Sequence, residues 1–355
     1  MKHSVKQFYR ILRSYLIGWL LAVLLWNMLS FMGGIKMSFV DISLVSRTSI
    51  GVVAWLFQGT LFGLLQWIIE FKLKKRKSFL VSQVISIALQ ILMSFFVIIC
   101  VYLFATQTGY IERSLTLEEF INGIQGFWVI IVYALLVNFA INFIRYLDLV
   151  VGRGNLLKMM KGVFYIPKEQ HKIFMFLDLK GSTTIAEKLG HIKYSSFIQD
   201  CFHDLAIVED YDAQIYQYVG DEAVLVWDLQ NGVKGANCIQ AFFEFNNLMK
   251  RRKRYYQKKY KIQPEFKAGI HSGVVVATEV GLIKKELAYH GDTINITARL
   301  EEECNKQKQS LIVSKDVVDQ LDSSSNYDCD YLGEVSLRGK RNVVEIYCVN
   351  LKKAS

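Results

Sequence analysis

Hydrophobic positions are arranged along this chain in two different ways. Up to about residue 150 they form long uninterrupted runs, and beyond it they come in short groups separated by charged segments. A helix needs about 20 apolar residues to cross a bilayer. Four stretches are that long: Tyr15 to Gly34, the interval between Arg47 and Glu70, the interval from Lys77 to Ile111, and the interval between Glu119 and Arg145. The pattern predicts an α-helical membrane bundle of four spans over residues 1–150, a linker or stalk over 151–170, and an α+β domain over 171–355. A cleaved signal peptide would explain the first run alone, and Gly33-Gly34-Ile35-Lys36 follows it without a small-residue cleavage site. In the linker, Ile144, Leu147, Val150, Val151, Leu156, Leu157 and Met160 roughly keep helical spacing, interrupted by Gly152 and Gly154. Two readings stand side by side there, a helix that ends at the glycines and a short dimeric stalk that couples the spans to the domain beyond.

Within the second half, Ile173-Phe174-Met175-Phe176-Leu177-Asp178-Leu179 reads as a buried strand with one acid near its end. Lys180-Gly181-Ser182-Thr183 then turns into a helix, where Thr184 and Glu187 have capping-box spacing and Ser182 or Thr183 are further cap candidates. Gln214 to Val219 and Ala223 to Trp227 read as two strands of a hairpin, with Gly220-Asp221-Glu222 at its tip. After the Gly291-Asp292 turn a helix is expected from Thr293, which sets Asn295 and Arg299 four apart on one face.

Composition sharpens the division. Of 355 residues, 52% are apolar, 42 are Lys or Arg and 32 are Asp or Glu. Residues 1–150 hold 13 of those cations and 6 of the acids, which excludes a wholly soluble chain, a disordered one and a disulfide scaffold. The cations cluster in the amino-terminal tail (Lys2, Lys6, Arg10, Arg13) and between the second and third runs (Lys72, Lys74, Lys75, Arg76, Lys77). The positive-inside rule places both, and everything after Arg145, on the cytoplasmic side of the plasma or inner membrane. Glu70 and Arg145 stand at span ends, and the interiors offer neutral polar groups such as Asn27, Gln58, Gln66, Gln90, Asn138 and Asn142, expected to bond between helices rather than to line a transport path. The six cysteines lack metal-ligand spacing and read as structural thiols, five of them in the half placed in the reducing cytoplasm.

The candidate chemistry is carried by carboxylates. If the strand ending at Asp178 neighbours the hairpin tipped by Asp221, the two acids lie close together and repel unless they hold cations, the two-metal arrangement of phosphoryl chemistry. A Gly181-Ser182-Thr183 turn between strand and helix exposes backbone N–H groups suited to phosphates. An Asn and an Arg on one helical face can hold a sugar oxygen and a phosphate oxygen together.

The segments FMFLDLKGST, YVGDEAVLVW, FKAGIHSGVVV and AYHGDTINITARLE follow one another between about residues 170 and 350. Together they resemble the catalytic domain of class III nucleotidyl cyclases of the membrane-anchored bacterial type. That resemblance implies a ferredoxin-like palm and a head-to-tail homodimer with its sites at the interface. It implies Mg²⁺ or Mn²⁺, two ions per site, on Asp178, Asp221 and the Leu179 carbonyl. It further implies that Asn295 of the partner chain orients the ribose, that Arg299 stabilises charge on the α-phosphate, and that Arg338 grips the terminal phosphates in place of the family's usual Lys. The product would be a 3′,5′-cyclic monophosphate, with pyrophosphate released. The base-reading positions depart from the family, holding Gln217 and Ala288. The expected substrate is therefore ATP on grounds of abundance and family frequency, with GTP or a pyrimidine triphosphate as alternatives.

Other features are assigned no chemistry. The run Lys250 to Arg254 with Lys258, Lys259 and Lys261 and its interleaved tyrosines reads as a solvated helix end near the inner leaflet, with no nucleic acid partner. His271, Ser272 and His290 read as structural. A diguanylate cyclase would need a second glycine before its acids and an aromatic after them, where Val219 and Ala223 stand. A catalytically dead receptor or scaffold would be expected to lack one of the four key side chains, all of which are present.

Overall fold

The computed structural model describes residues 2–33, 44–73, 79–107, 127–321, 327–336 and 343–352. It divides into two compact units, residues 1–150 and 151–355.

The first unit consists of long helices: α1 (Lys2–Gly33), α2 (Leu44–Leu73), α3 (Phe79–Gln107) and α4 (Phe127–Val151). Their shared core is Ile11, Tyr15, Trp19, Ala22, Phe62 and Ile141, while Leu21, Leu24, Met28, Leu136 and Ile144 face outward. Two stretches, Val5–Leu29 and Ile131–Val151, are long and apolar enough to cross a membrane. Of the neutral polar residues expected to join helices, Gln66, Asn138 and Asn142 do so. Tyr15 donates to Asn142 Oδ1 at 3.1 Å, Trp19 Nε1 to Asn138 Oδ1 at 3.3 Å, and Ser86 to Gln66 Oε1 at 3.2 Å. Glu70 and Arg145, read as span-end charges, form an ion pair at 2.8 Å between α2 and α4. The basic residues 74–77 lie outside the described residues.

In the second unit, Gly152 and Gly154 adopt φ of 98° and 78°, which ends α4 and separates it from the short helix α5 (Asn155–Met160). The segment after α5 is not a free tether, because Phe164 is buried against the sheet and its carbonyl accepts from Glu279 N at 2.9 Å.

The elements that follow are β1 (Lys168–Leu179), α6 (Ser182–Asp204), β2 (Gln214–Val219), β3 (Glu222–Asp228) and α7 (Leu229–Val233). Then come α8 (Asn237–Arg251), α9 (Lys253–Tyr260), β4 (Phe266–Val280), β5 (Glu286–His290), α10 (Asp292–Lys306), β6 (Leu311–Ser314) and α11 (Lys315–Val318). Strands β7 (Tyr327–Ser336) and β8 (Val343–Leu351) close the unit. One sheet runs β2-β3-β1-β4-β6-β8-β7, with β5 added to β4. β1 is antiparallel to both β3 and β4, and β4 is parallel to β6.

Alternation along β1 divides the core. Ile173, Met175, Leu177 and Leu179 pack with Phe197, Cys201, Phe242 and Phe245 from α6 and α8. Phe174 and Phe176 face the other side with Phe164, Val224, Val226, Val275, Ala277 and Tyr289. Because both faces are covered, β1 is buried from Ile173 to Phe176 whichever way its side chains point. The strand begins three residues before the expected boundary at 171. Helix α6 begins at Ser182 with Gly181, at φ 68°, as its N-cap, and no side chain caps it. The left-handed glycine turns the strand directly into the helix, so Thr184 falls inside the first turn and Glu187 in the second, rather than at the entrance.

Helix α10 rests on β4 where the strand has no side chain. A Cβ at Gly269 would lie 2.3 Å from Glu301 N and 2.8 Å from the Thr297 carbonyl oxygen, both backbone atoms. Gly269→Ala is therefore expected to push α10 off the sheet and to destabilise the second unit by at least about 2 kcal/mol. Thermal melting of the full chain in detergent measures this, and an unchanged Tm would contradict the close approach.

Candidate functional site

The chemistry-bearing residues gather at one end of β1. Asp178 follows Phe174 and Phe176 on the same face of the sheet. Leu177 pairs with Ala223, so the next rung sets Asp178 opposite Glu222, with Asp221 in the turn just beyond. On the other flank Asp178 pairs with Lys267 of β4, whose ammonium lies 3.1 Å from Asp178 Oδ2 and is also bonded to Glu301 of α10. Two carboxylates, Asp178 and Glu301, thus hold one lysine, with Glu222 and Asp221 close by. The Lys267 and Glu301 side chains are 7% and 9% exposed, too little for water to screen the excess of negative charge.

Protonation follows from that excess. Burial raises the Asp178 carboxyl above its ordinary value and the Asp221 charge adds to this, while Lys267 opposes it. Burial raises Glu301 as well, again against the pull of Lys267. For Lys267, burial works toward a lower pKa, but its bonds to Glu301 and Asp178 prevail and the ammonium is held above the usual range. Burial pushes Glu222 up to about 7, with Glu301, Asp178 and Asp221 adding repulsion. Tyr194 of α6, hydrogen-bonded to Ser182, is driven up to about 12 by burial and then by Asp221 and Asp178. Four members of this cluster, Lys267, Glu301, Glu222 and Tyr194, were given no role from the sequence. Lys267 and Glu301 lie within quoted motifs, but their meeting depends on strand register and helix placement, which no local pattern encodes. Glu222 was legible as a neighbour of Asp221, although its rung opposite Asp178 was not.

The remaining expected residues are distributed around the cluster. Gly181 forms the turn, and Ser182 and Thr183 open α6 directly beyond Leu179. Gln217 is exposed on β2 beside a register irregularity between Ile215 and Gln217, and Ala288 is half-buried on β5 opposite Thr278. Their neighbours Tyr216 and Tyr289 meet with ring centroids 5.0 Å apart. Helix α10 buries Thr293, Thr297, Leu300 and Glu301, leaving Asn295 exposed and Arg299 half-buried. At about 100° per residue, Asn295 and Arg299 lie within about 40° of each other, and Arg299 about 200° from Glu301. Glu301 turns toward the carboxylates of its own chain, so the Asn/Arg pair is carried on the opposite face. Arg338 lies outside the described residues. His271, buried with Nδ1 2.8 Å from Ser314 Oγ, is held down at about 4, and Ser272 Oγ lies 3.1 Å from His171 Nε2. Cys201, Cys238, Cys304, Cys329 and Cys348 are free thiols.

Oxygen donors crowded by their own charge suit a hard divalent cation such as Mg²⁺ or Mn²⁺. Among the described residues there is no closed cluster of three or more metal-ligating side chains. The fit rests on the donor type and the uncompensated charge, with Lys267 the cation bonded directly to Asp178.

A carboxyl whose pKa is higher in the folded than in the unfolded chain binds its proton more tightly when folded. Its contribution to stability is complete below about 4.5 and declines as pH rises toward about 7. In metal-free protein Glu222→Gln should raise Tm at pH 7.5 and leave it nearly unchanged at pH 4. An equal effect at both pH values, read by thermal melting, would exclude charge crowding as the cause.

Comparison with known proteins agrees with this geometry. The adenylate and guanylate cyclase catalytic domain profile matches residues 165–351. Adenylate cyclase 2 of Rhizobium meliloti (strain 1021) is 32% identical over 212 residues, covering 59% of this chain and 58% of that protein. The receptor-type guanylate cyclase gcy-13 of Caenorhabditis elegans is 28% identical over 185 residues, 51% of this chain but 18% of the relative. The chain thus spans less than two thirds of the length of either relative. A bacterial light-regulated adenylyl cyclase shares the fold at TM-score 0.53 and 18% identity, over 62% of this chain and 65% of that one. With the profile spanning residues 165–351, from ahead of β1 to the end of β8, the chain belongs to the class III adenylate and guanylate cyclase family.

Proposed function

We propose that this protein is a membrane-bound homodimeric cyclase that converts ATP to 3′,5′-cyclic AMP and pyrophosphate by two-metal catalysis. The observation that carries the reading is Asp178 at the end of β1 with Asp221 in the hairpin turn just beyond its facing strand, more negative charge than Lys267 balances. Asp178, Asp221 and the Leu179 carbonyl would hold two Mg²⁺ or Mn²⁺ ions. Those ions supply the acidity needed at the ribose 3′-hydroxyl and neutralise the leaving pyrophosphate. The Gly181-Ser182-Thr183 turn offers backbone N–H groups at the start of α6 to the phosphates. Lys267 adds a positive charge at the floor of the site, and Arg338 is assigned to the terminal phosphates by family likeness.

Asn295 and Arg299 are assigned to the site of the partner chain, where Asn295 orients the ribose and Arg299 meets charge growing on the α-phosphate. Their position opposite Glu301 on α10 supports that division. Dimerisation is further supported by the β4–β5 connection, where Leu282 and Ile283 are almost wholly exposed, as expected of apolar residues covered by a second copy. Four spans with both termini in the cytoplasm, and residues 1–150, 151–170 and 171–355 as bundle, linker and catalytic domain, complete the reading. The outward Leu and Met side chains of α1 and the two span-length apolar stretches support it. GTP is the second reading for the substrate, because Gln217 can donate and accept and Ala288 offers no polar side-chain atom to exclude guanine.

Asp178→Ala or Asp221→Ala should reduce Mn²⁺-dependent turnover at least about 1000-fold, a loss of some 4 kcal/mol of transition-state stabilisation. Mixing Asp221→Ala with Asn295→Ala chains should restore activity, since one composite site per dimer is then intact. No recovery in a confirmed heterodimer would refute sharing of sites between chains. Competition among ATP, GTP, UTP and CTP identifies the base, and no product from any of them in folded dimer would favour a scaffold.

A further inference from the structure

We propose that the outer face of α8 and α9 is an anionic-lipid docking surface that holds the catalytic domain against the bilayer to which it is tethered. Residues 250–261 contain 8 cations in 12 positions and no acid. Three of those cations are engaged inward or along the helix: Arg252 with Asp204, Lys259 with Asp200 at 2.5 Å, and Arg251 with Glu244 at 3.9 Å. The other five, Lys250, Lys253, Arg254, Lys258 and Lys261, are exposed, and none has an ion-pair partner among the described residues. Arg254 and Lys258 lie four apart on one face of α9, and the basic stripe continues to Lys250 near the end of α8 and to Lys261 just beyond α9. The inward side holds Met249, Arg252, Tyr256 and Tyr260.

The stripe is pinned in place. Tyr256 donates to Asp204 Oδ2 at 2.6 Å, Tyr255 to Asp200 Oδ2 at 2.7 Å and Tyr260 to Asp200 Oδ2 at 2.5 Å. The helix backbone that carries the cations is therefore held in place before binding. The same contacts distinguish the partner. A single-stranded nucleic acid site combines positive charge with aromatic faces open for stacking. Here Tyr256 and Tyr260 are buried, and Tyr255 is half-buried beneath the Arg252 guanidinium, 4.3 Å from its ring centroid. What remains outward is charge without a stacking platform, which matches phospholipid headgroups, whose attraction grows with each cation near the surface.

This inference rests on the proposed membrane anchoring. The full chain is reconstituted in nanodiscs of phosphatidylcholine, alone or mixed with phosphatidylserine, and lysines are footprinted with an amine-reactive reagent read by mass spectrometry. Labelling of Lys250, Lys253, Lys258 and Lys261 should fall at least about five-fold in the anionic discs and recover at high salt, while exposed Lys193 and Lys308 stay constant. In the Lys250→Gln/Arg254→Gln/Lys258→Gln/Lys261→Gln variant, Lys253 should lose this dependence, with Tm unchanged. Inorganic phosphate added to neutral discs should protect none of these lysines. Equal labelling in both kinds of disc overturns the proposal, as does stronger protection by a single-stranded polynucleotide in neutral discs. A chain that elutes apart from the discs overturns the anchoring reading too, whereas a disc-bound chain with lipid-independent labelling overturns the stripe alone.

Discussion

One buried ammonium ion shared between two carboxylates, with two more acids close by, governs the second unit of this protein. Lys267 is held by Glu301 from α10 and by Asp178 from β1, so it ties the helix to the central strands as well as offsetting repulsion. Removing one partner from a buried charge network of this kind typically costs about 3–5 kcal/mol, because the remaining charges lose their compensation. The arrangement is stable enough to fold but remains short of positive charge. On the proposed reading, that shortage is what divalent cations would relieve.

The sheet supplies the geometry that a charge cluster needs. β1 is fixed by hydrophobic packing on both faces, so the acid at its end is carried by a rigid support rather than a loop. Gly269 lets α10 settle directly on β4, which brings Glu301 within reach of Lys267. Phe164 seats the linker on the same sheet face as Phe174 and Phe176, well before the chain reaches β1. The segment entering the domain is therefore part of its core packing and not a loose connection.

What the sequence revealed was local. Asp178 stood out because an acid at the end of an apolar strand serves no packing purpose, and Asp221 because it tips a hairpin. Asn295 and Arg299 followed from helical spacing. The Lys267–Glu301 bond was hidden because its residues lie 34 positions apart and meet only through strand register and the close approach at Gly269. The cap of α6 was misread for a related reason. Ser, Thr and Glu at favourable spacing suggested side-chain capping, whereas backbone geometry at Gly181 had already set the helix start. In the basic segment, composition alone left the tyrosines ambiguous, and only their inward bonds to Asp200 and Asp204 separate scaffold from surface.

Helix α10 has a particular consequence in a two-fold pair built as proposed. Each copy of the helix contributes Glu301 to the floor of one pocket and Asn295 with Arg299 to the roof of the other. A small rotation that tightens one pocket must therefore alter the second. Occupancy of the two would be thermodynamically linked, and a saturation curve departing from a simple hyperbola is the natural result of one rigid rod serving two cavities at once.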